Sequence, residues 1–322
     1  MFSTAELGHN LTKKRYDDML PKLRASLLSA HFNLRSQKFP VIVIVSGADG
    51  AGKGELVQRL NEWLDPRGVA TYAFWEASDE ERARPRYWQF WQAMPGRGRI
   101  GIFFGSWYTE PILRRVFGKT NGNRFDSALN RIVAFEKMLA ADGALIVKFW
   151  LHLPKKAQKK CLKKLEKEGR IAPDDWDHFK LYDRFAKVAE RALRHTHTDD
   201  APWHVIEATD RHYRELTVGK ILLTAIQRKL KEADAKVAAK TAVQPATSLR
   251  KKADLSAVAS AKADSLLAHV DLTQRLTDAE YVRSLESQQA RLSKLVWAAH
   301  KKKRSMVMVF EGWAAAGKGS AI

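Results

Sequence analysis

The chain has a single cysteine, Cys161, among its 322 residues, so no intrachain disulfide can form and no thiolate cluster can hold a metal. One thiol suits a reducing compartment, and a cytoplasmic location is expected. No stretch approaches the roughly 18 apolar residues of a membrane span, and the opening MFSTAELGHNLTKKRYDD has no apolar secretion core. No membrane partner is therefore expected. Acidic side chains are scarce beside basic ones, 36 Asp and Glu against 56 Lys and Arg, which leaves a formal charge of +20. That excess calls for a polyanionic partner. The basic residues come without a recognisable reading helix, zinc site or aromatic sheet motif, which disfavours nucleic acid.

What is present centres on VIVIVSGADGAGKGELV, Val41 to Val57, where apolar β-formers run into a glycine-rich turn and then into a helical pattern. Gly47, Gly50, Gly52 and Gly54 allow backbone N–H groups to converge on phosphate oxygens, a helix starting near Lys53 adds the positive end of its dipole, and Lys53 adds a point charge. Yet the position after the lysine, where such loops usually carry Ser or Thr for Mg²⁺, is Gly54. Asp49 offers a carboxylate that a hard cation accepts together with water. It equally suits a residue that only satisfies turn backbone.

The arrangement occurs twice. Shifted by 265 residues, Leu11, Thr12, Tyr16, Leu20 and Leu27 fall on Leu276, Thr277, Tyr281, Leu285 and Leu292. In the same register Gly47, Gly52, Lys53 and Gly54 fall on Gly312, Gly317, Lys318 and Gly319, while Asp49 falls on Ala314. The expected organisation is a tandem duplication: a first unit over 1–230, an Ala- and Lys-rich linker or exposed helix over 231–270, and the beginning of a second copy over 271–322. The sequence stops shortly after the second loop, so the MVMVFEGW strand is expected to lack a sheet of its own.

Within the first copy, GVATYAFWEA, GRIGIFFGSWY, GALIVKFWLHL and APWHVIEATD have the β-branched and aromatic content of buried strands, and helical patterns alternate with them. That order predicts an α/β fold, a P-loop type three-layer sandwich around a parallel sheet. Trp88, Phe90 and Trp91 are expected to pack a helix, and His195 and His197 to lie in a loop.

These segments resemble the polyphosphate kinase 2 family, and the duplication resembles its tandem class, the polyphosphate:AMP phosphotransferases. GADGAGKG is similar to the family loop G-x-D-x-x-G-K-G, RYWQFWQAMPGRGRIGIFFGSWY to its second block, and FEKMLAADGALIVKFWLHL and THTDDAPWHVIEATD to later ones. The resemblance implies phosphate transfer from polyphosphate to AMP giving ADP, with Mg²⁺ as cofactor and a helical lid. The lysines at 155, 156, 159, 160, 163 and 164 then lie at that lid, or form no more than a solvated face diluted by Glu166 and Glu168. By the same resemblance Phe104 stands where active members carry a metal-binding aspartate, and Gly105 and Glu110 replace two arginines, although Arg115 keeps a later basic position. An arginine at the transferring phosphate contributes roughly 10³ to 10⁵ in rate. The first copy is therefore expected to be degenerate, with Lys53 a remnant and Lys318 the catalytic lysine of the incomplete second copy. Two other readings stay open, a non-catalytic polyanion-binding module and an ATP-dependent nucleoside or nucleotide kinase. The expected partners are polyphosphate and AMP or ADP, with a homo-oligomer left open.

Overall fold

The computed structural model describes residues 2–74, 77–169, 171, 175–241, 275–304, 306 and 308–310. They divide between two compact units, one holding Met1–Lys167, Ile171–Asp234 and Met306–Ile322, the other Glu168–Arg170 and Ala235–Ser305. In chain order the elements are α1 (Lys13–Leu34), β1 (Val41–Gly47), α2 (Lys53–Trp63), β2 (Val69–Ala73), α3 (Asp79–Arg82), α4 (Trp88–Gln92), β3 (Ile100–Phe104) and α5 (Thr109–Val116). They continue with α6 (Gly122–Ala141), β4 (Leu145–His152), α7 (Lys155–Lys167), α8 (Asp175–Lys180), α9 (Tyr182–Thr196), β5 (Trp203–Glu207), α10 (Arg211–Thr241) and α11 (Asp278–Lys301).

The five strands form one sheet in the order β2-β3-β1-β4-β5, and every pairing is parallel. β1 and β4 are central and read as continuous apolar runs because helices cover both faces. Side chains alternate across β1: Val41, Val43 and Val45 join a core with α1, α2 and α10, whereas Ile42 and Ile44 join a second core with α6 and α9. This is the expected three-layer α/β sandwich of P-loop type, with α7 and α8 following β4 as the helical lid.

The repeat is visible in the helix starts. Thr12 caps α1 by accepting from Arg15 N, and Thr277, 265 residues on, caps α11 by accepting from Glu280 N. Burial separates the two helices. Tyr16, Leu23, Leu27 and Leu34 of α1 are buried, Leu27 completely, whereas Leu292, the counterpart of Leu27, is 49% exposed. Leu27→Ala should therefore lower the unfolding free energy by about 2–5 kcal/mol, and Leu292→Ala by no more than about 0.5 kcal/mol. Urea unfolding midpoints read the difference, and equal losses at the two positions would contradict this assignment of the cores.

α10 continues through position 230 to Thr241, so the segment expected to be a linker or an exposed helix begins as helix; 242–274 lie outside the described residues. Met306 and Met308 to Phe310 belong to no strand and are exposed. A strand needs a neighbouring ladder, which β1 has on both sides in β3 and β4.

Candidate phosphate-binding site

β1 emerges between β3 and β4, and its carboxyl end opens into the loop 48–52, in the crevice where ligands of open parallel sheets bind. The loop is held from both sides by backbone: Ala48 N donates to Leu151 O at 3.1 Å and Ala51 N to Ala48 O at 3.3 Å. α2 begins at Lys53, as expected, with Gly52 as its N-cap in the left-handed region and no side-chain cap on the helix. The first turn thus presents N–H groups without a side-chain partner, which is what an anion requires.

Gly52 is needed for a second reason. A Cβ there would lie 2.2 Å from Arg214 Nη1. Arg214, at the start of α10 and 4% exposed, donates to Ala51 O and to Glu55 Oε2, each at 2.9 Å. It ties the loop to α10 and neutralises a carboxylate in the first turn of α2. No spacing in the sequence singles it out, since 163 residues separate it from Ala51.

Lys53 Nζ folds back on its own loop, donating to Gly47 O at 2.9 Å and to Asp49 Oδ1 at 3.0 Å. His178 of α8 lies 2.9 Å from the other Asp49 oxygen through Nδ1, and Gln158 of α7 donates to the Asp49 carbonyl at 2.9 Å. Burial pushes the Asp49 carboxyl up, but the charge of Lys53 and the hydrogen bonds from His178 and Lys53 outweigh it and hold it well below the usual carboxylate range. Asp49 is a carboxylate at any physiological pH. Gly50 lies against Cys161 and Leu162 of α7, so the loop tip touches the lid helix.

A hard divalent cation at this carboxylate would have to compete with the donors that both Asp49 oxygens already face, and among the described residues no three His, Cys, Asp or Glu side chains converge. The missing hydroxyl is not a matter of crowding, because a Cβ at Gly54 would meet nothing within 4 Å.

The neighbouring strand adds no acid. Phe104 ends β3 in register with Val45 and packs against the first core. Gly105 follows at φ +80°, where a Cβ would stand 2.7 Å from the Phe74 carbonyl oxygen. Glu110 pairs with Arg114 at 3.3 Å on the surface of α5. Arg115 donates to Thr120 O at 3.1 Å in the turn after α5.

Directly after Gly105, Ser106, Trp107 and Tyr108 lead into a buried polar network. Lys148 of β4 donates from Nζ to Glu136 Oε2 at 2.6 Å, to Tyr108 Oη at 2.9 Å and to Thr196 O at 2.9 Å. Glu136 Oε1 also accepts from Trp107 Nε1 at 3.0 Å and Tyr108 Oη at 2.7 Å. Burial, then the Glu136 charge, raises the Tyr108 hydroxyl far above its ordinary range, so it remains a donor. The network fastens the segment after β3 to β4 and α6.

The six lysines of α7 are all exposed, opposite buried Gln158 and Leu162, and Lys155 among them pairs with Asp183. Phe90 is buried; Trp91 is 47% exposed but meets Phe135 edge-on, and Trp88 lies under Arg84. His195 lies in the last turn of α9 rather than in a loop, bonded to Asn130, and His197 accepts from Trp203 N just beyond that helix. Gly312, Ala314, Gly317, Lys318 and Gly319 lie outside the described residues.

A family model described as Polyphosphate kinase 2 matches residues 10–234 and 275–322, two stretches that begin 265 positions apart. A polyphosphate:AMP phosphotransferase of Pseudomonas aeruginosa is 43% identical over 330 residues, taking in 100% of this chain and 64% of that protein. One from Pseudomonas syringae pv. tomato is 42% identical over 327 residues, with 100% and 63% covered. Among solved structures, a polyphosphate kinase 2 from Pseudomonas aeruginosa is similar at TM-score 0.66 and 40% identity, over 92% of this chain and 56% of that one. Another, from Arthrobacter aurescens, gives 0.65 at 27% identity over 69% and 83%. The chain spans less than two thirds of the length of the two phosphotransferases. It belongs to the polyphosphate kinase 2 family.

Proposed function

We propose that this member of the polyphosphate kinase 2 family serves a polyphosphate:AMP phosphotransferase, in which the terminal phosphate of polyphosphate passes to AMP and gives ADP. The division of labour is that of a tandem protein: residues 1–230 form a first domain that binds polyanion without turning it over, 231–270 connect, and 271–322 begin a second copy whose Lys318 belongs to the catalytic loop. The observation that carries this reading is at the end of β3. Phe104 packs apolar core beside Val45, and Gly105 faces the Phe74 carbonyl, so the edge of the cradle has neither carboxylate nor guanidinium. Phosphoryl transfer depends on positioning and charge neutralisation, and Lys53 alone supplies little of either. Mg²⁺, which neutralises donor and acceptor phosphate oxygens when bound, belongs in this reading to the second copy. A cytoplasmic location follows from the reading, and among the described residues no helix is long and apolar enough to cross a membrane.

Two measurements test it. In a form extended to the length of its relatives, polyphosphate should support ADP formation from AMP; ATP as the effective donor would instead favour a nucleotide kinase. For the present chain, long-chain polyphosphate should displace bound DNA at equal phosphate concentration and ionic strength, and the reverse preference would oppose the reading.

A further inference from the structure

The phosphate cradle already holds an anion of its own. Asp49 Oδ1 accepts from Lys53 Nζ at 3.0 Å and Asp49 Oδ2 lies 2.9 Å from His178 Nδ1, so the carboxylate occupies the two contacts that a phosphate at this loop would seek. We propose that in the first domain Asp49 is a tethered counter-anion rather than a metal ligand, and that an oligophosphate enters the cradle without a divalent ion, by exchanging with Asp49 on Lys53 and His178. The inference rests on the polyphosphate reading given above and adds to it the way in which the first site is filled.

Three features support it. Both Asp49 carboxylate oxygens are already engaged, by Lys53 and His178, Gln158 holds the Asp49 carbonyl, and the neighbouring strand offers Phe104 where a second carboxylate could share a cation. In the exchange one anionic oxygen replaces another on the Lys53 ammonium, and the displaced carboxylate stays tethered beside the bound phosphate, a repulsion that Asp49→Asn removes. Gln158, 4% exposed, lines the same small cavity as Asp49 and His178, and its Oε1 has no hydrogen-bond partner among the described residues. Water carried in with a bound oligophosphate would satisfy that acceptor.

Tripolyphosphate binding to the 322-residue chain, followed by titration calorimetry in EDTA and again in excess Mg²⁺, tests the exchange. The expected result is binding in EDTA that Mg²⁺ does not tighten. Asp49→Asn, which keeps the size but removes the competing charge, should bind about tenfold tighter, the scale of one net charge-assisted hydrogen bond. Lys53→Ala should lose at least that factor. Binding that requires Mg²⁺ in the unaltered chain would overturn the proposal without need of any variant, and weaker binding by a folded Asp49→Asn would do the same. In both cases the polyphosphate reading survives. Absence of binding by every form, with and without Mg²⁺, would remove that reading as well.

Discussion

Glu136→Ala should destabilise the first domain by about 3–5 kcal/mol, the loss expected when one partner of a buried ion pair is removed. Glu136 is 1% exposed and accepts from Trp107, Tyr108 and Lys148, the last of which has no exposed surface. Its removal strands an ammonium in the core and leaves an indole N–H and a phenol without their acceptor. Burial already lowers the affinity of Lys148 for its proton, and Glu136 is what opposes that effect. Pairing the change with Lys148→Met should recover only the part that comes from the stranded ammonium, because the indole N–H and the phenol remain without their acceptor. Against a total stability of about 5–15 kcal/mol the single variant sits near the edge of folding. Urea unfolding of the single and double variants measures this, and a loss below about 1 kcal/mol for Glu136→Ala would show that the network is not held as described.

Adding an acid and an arginine at the end of β3 should not create chemistry. Phe104→Asp with Gly105→Arg would supply a carboxylate and a guanidinium, and an arginine at the transferring phosphate contributes roughly 10³ to 10⁵ in rate, about 4 to 7 kcal/mol. The backbone has no place for them. Gly105 is in the left-handed region with the Phe74 carbonyl 2.7 Å from its would-be Cβ, so an arginine forces one of two backbone segments to move. Aspartate at 104 would replace a ring packed into the first core. The expected result is ADP formation unchanged from the parent chain and a lower unfolding midpoint. A gain of a thousandfold or more would mean that the site is merely missing side chains, and that its geometry is intact.

Much of this frame can be read from the residues. The alternation of apolar strands with helical patterns implies the covered parallel sheet, and the 265-residue register pairs Thr12 with Thr277, both of which cap helices. The start of α2 at Lys53 follows from the glycine loop that precedes it. The surroundings of that loop are not legible in the same way. His178, Gln158 and Arg214 come from three helices more than a hundred residues away, brought in by sheet order and not by local pattern. Lys148 does leave a trace, as one charge inside an otherwise apolar strand, but nothing in the sequence chooses Glu136 among the many acids as its partner. The continuity of α10 past position 230 was obscured because a Lys- and Ala-rich composition suits an exposed helix end as well as a linker.

If the first domain binds polyanion but does not turn it over, the ADP yield of this 322-residue chain given AMP, polyphosphate and Mg²⁺ shows it most directly. The unaltered chain and Lys53→Ala should both remain at the protein-free background. A robust Mg²⁺-dependent yield that Lys53→Ala abolishes would contradict it, and would make the first domain the engine despite Phe104 and Gly105.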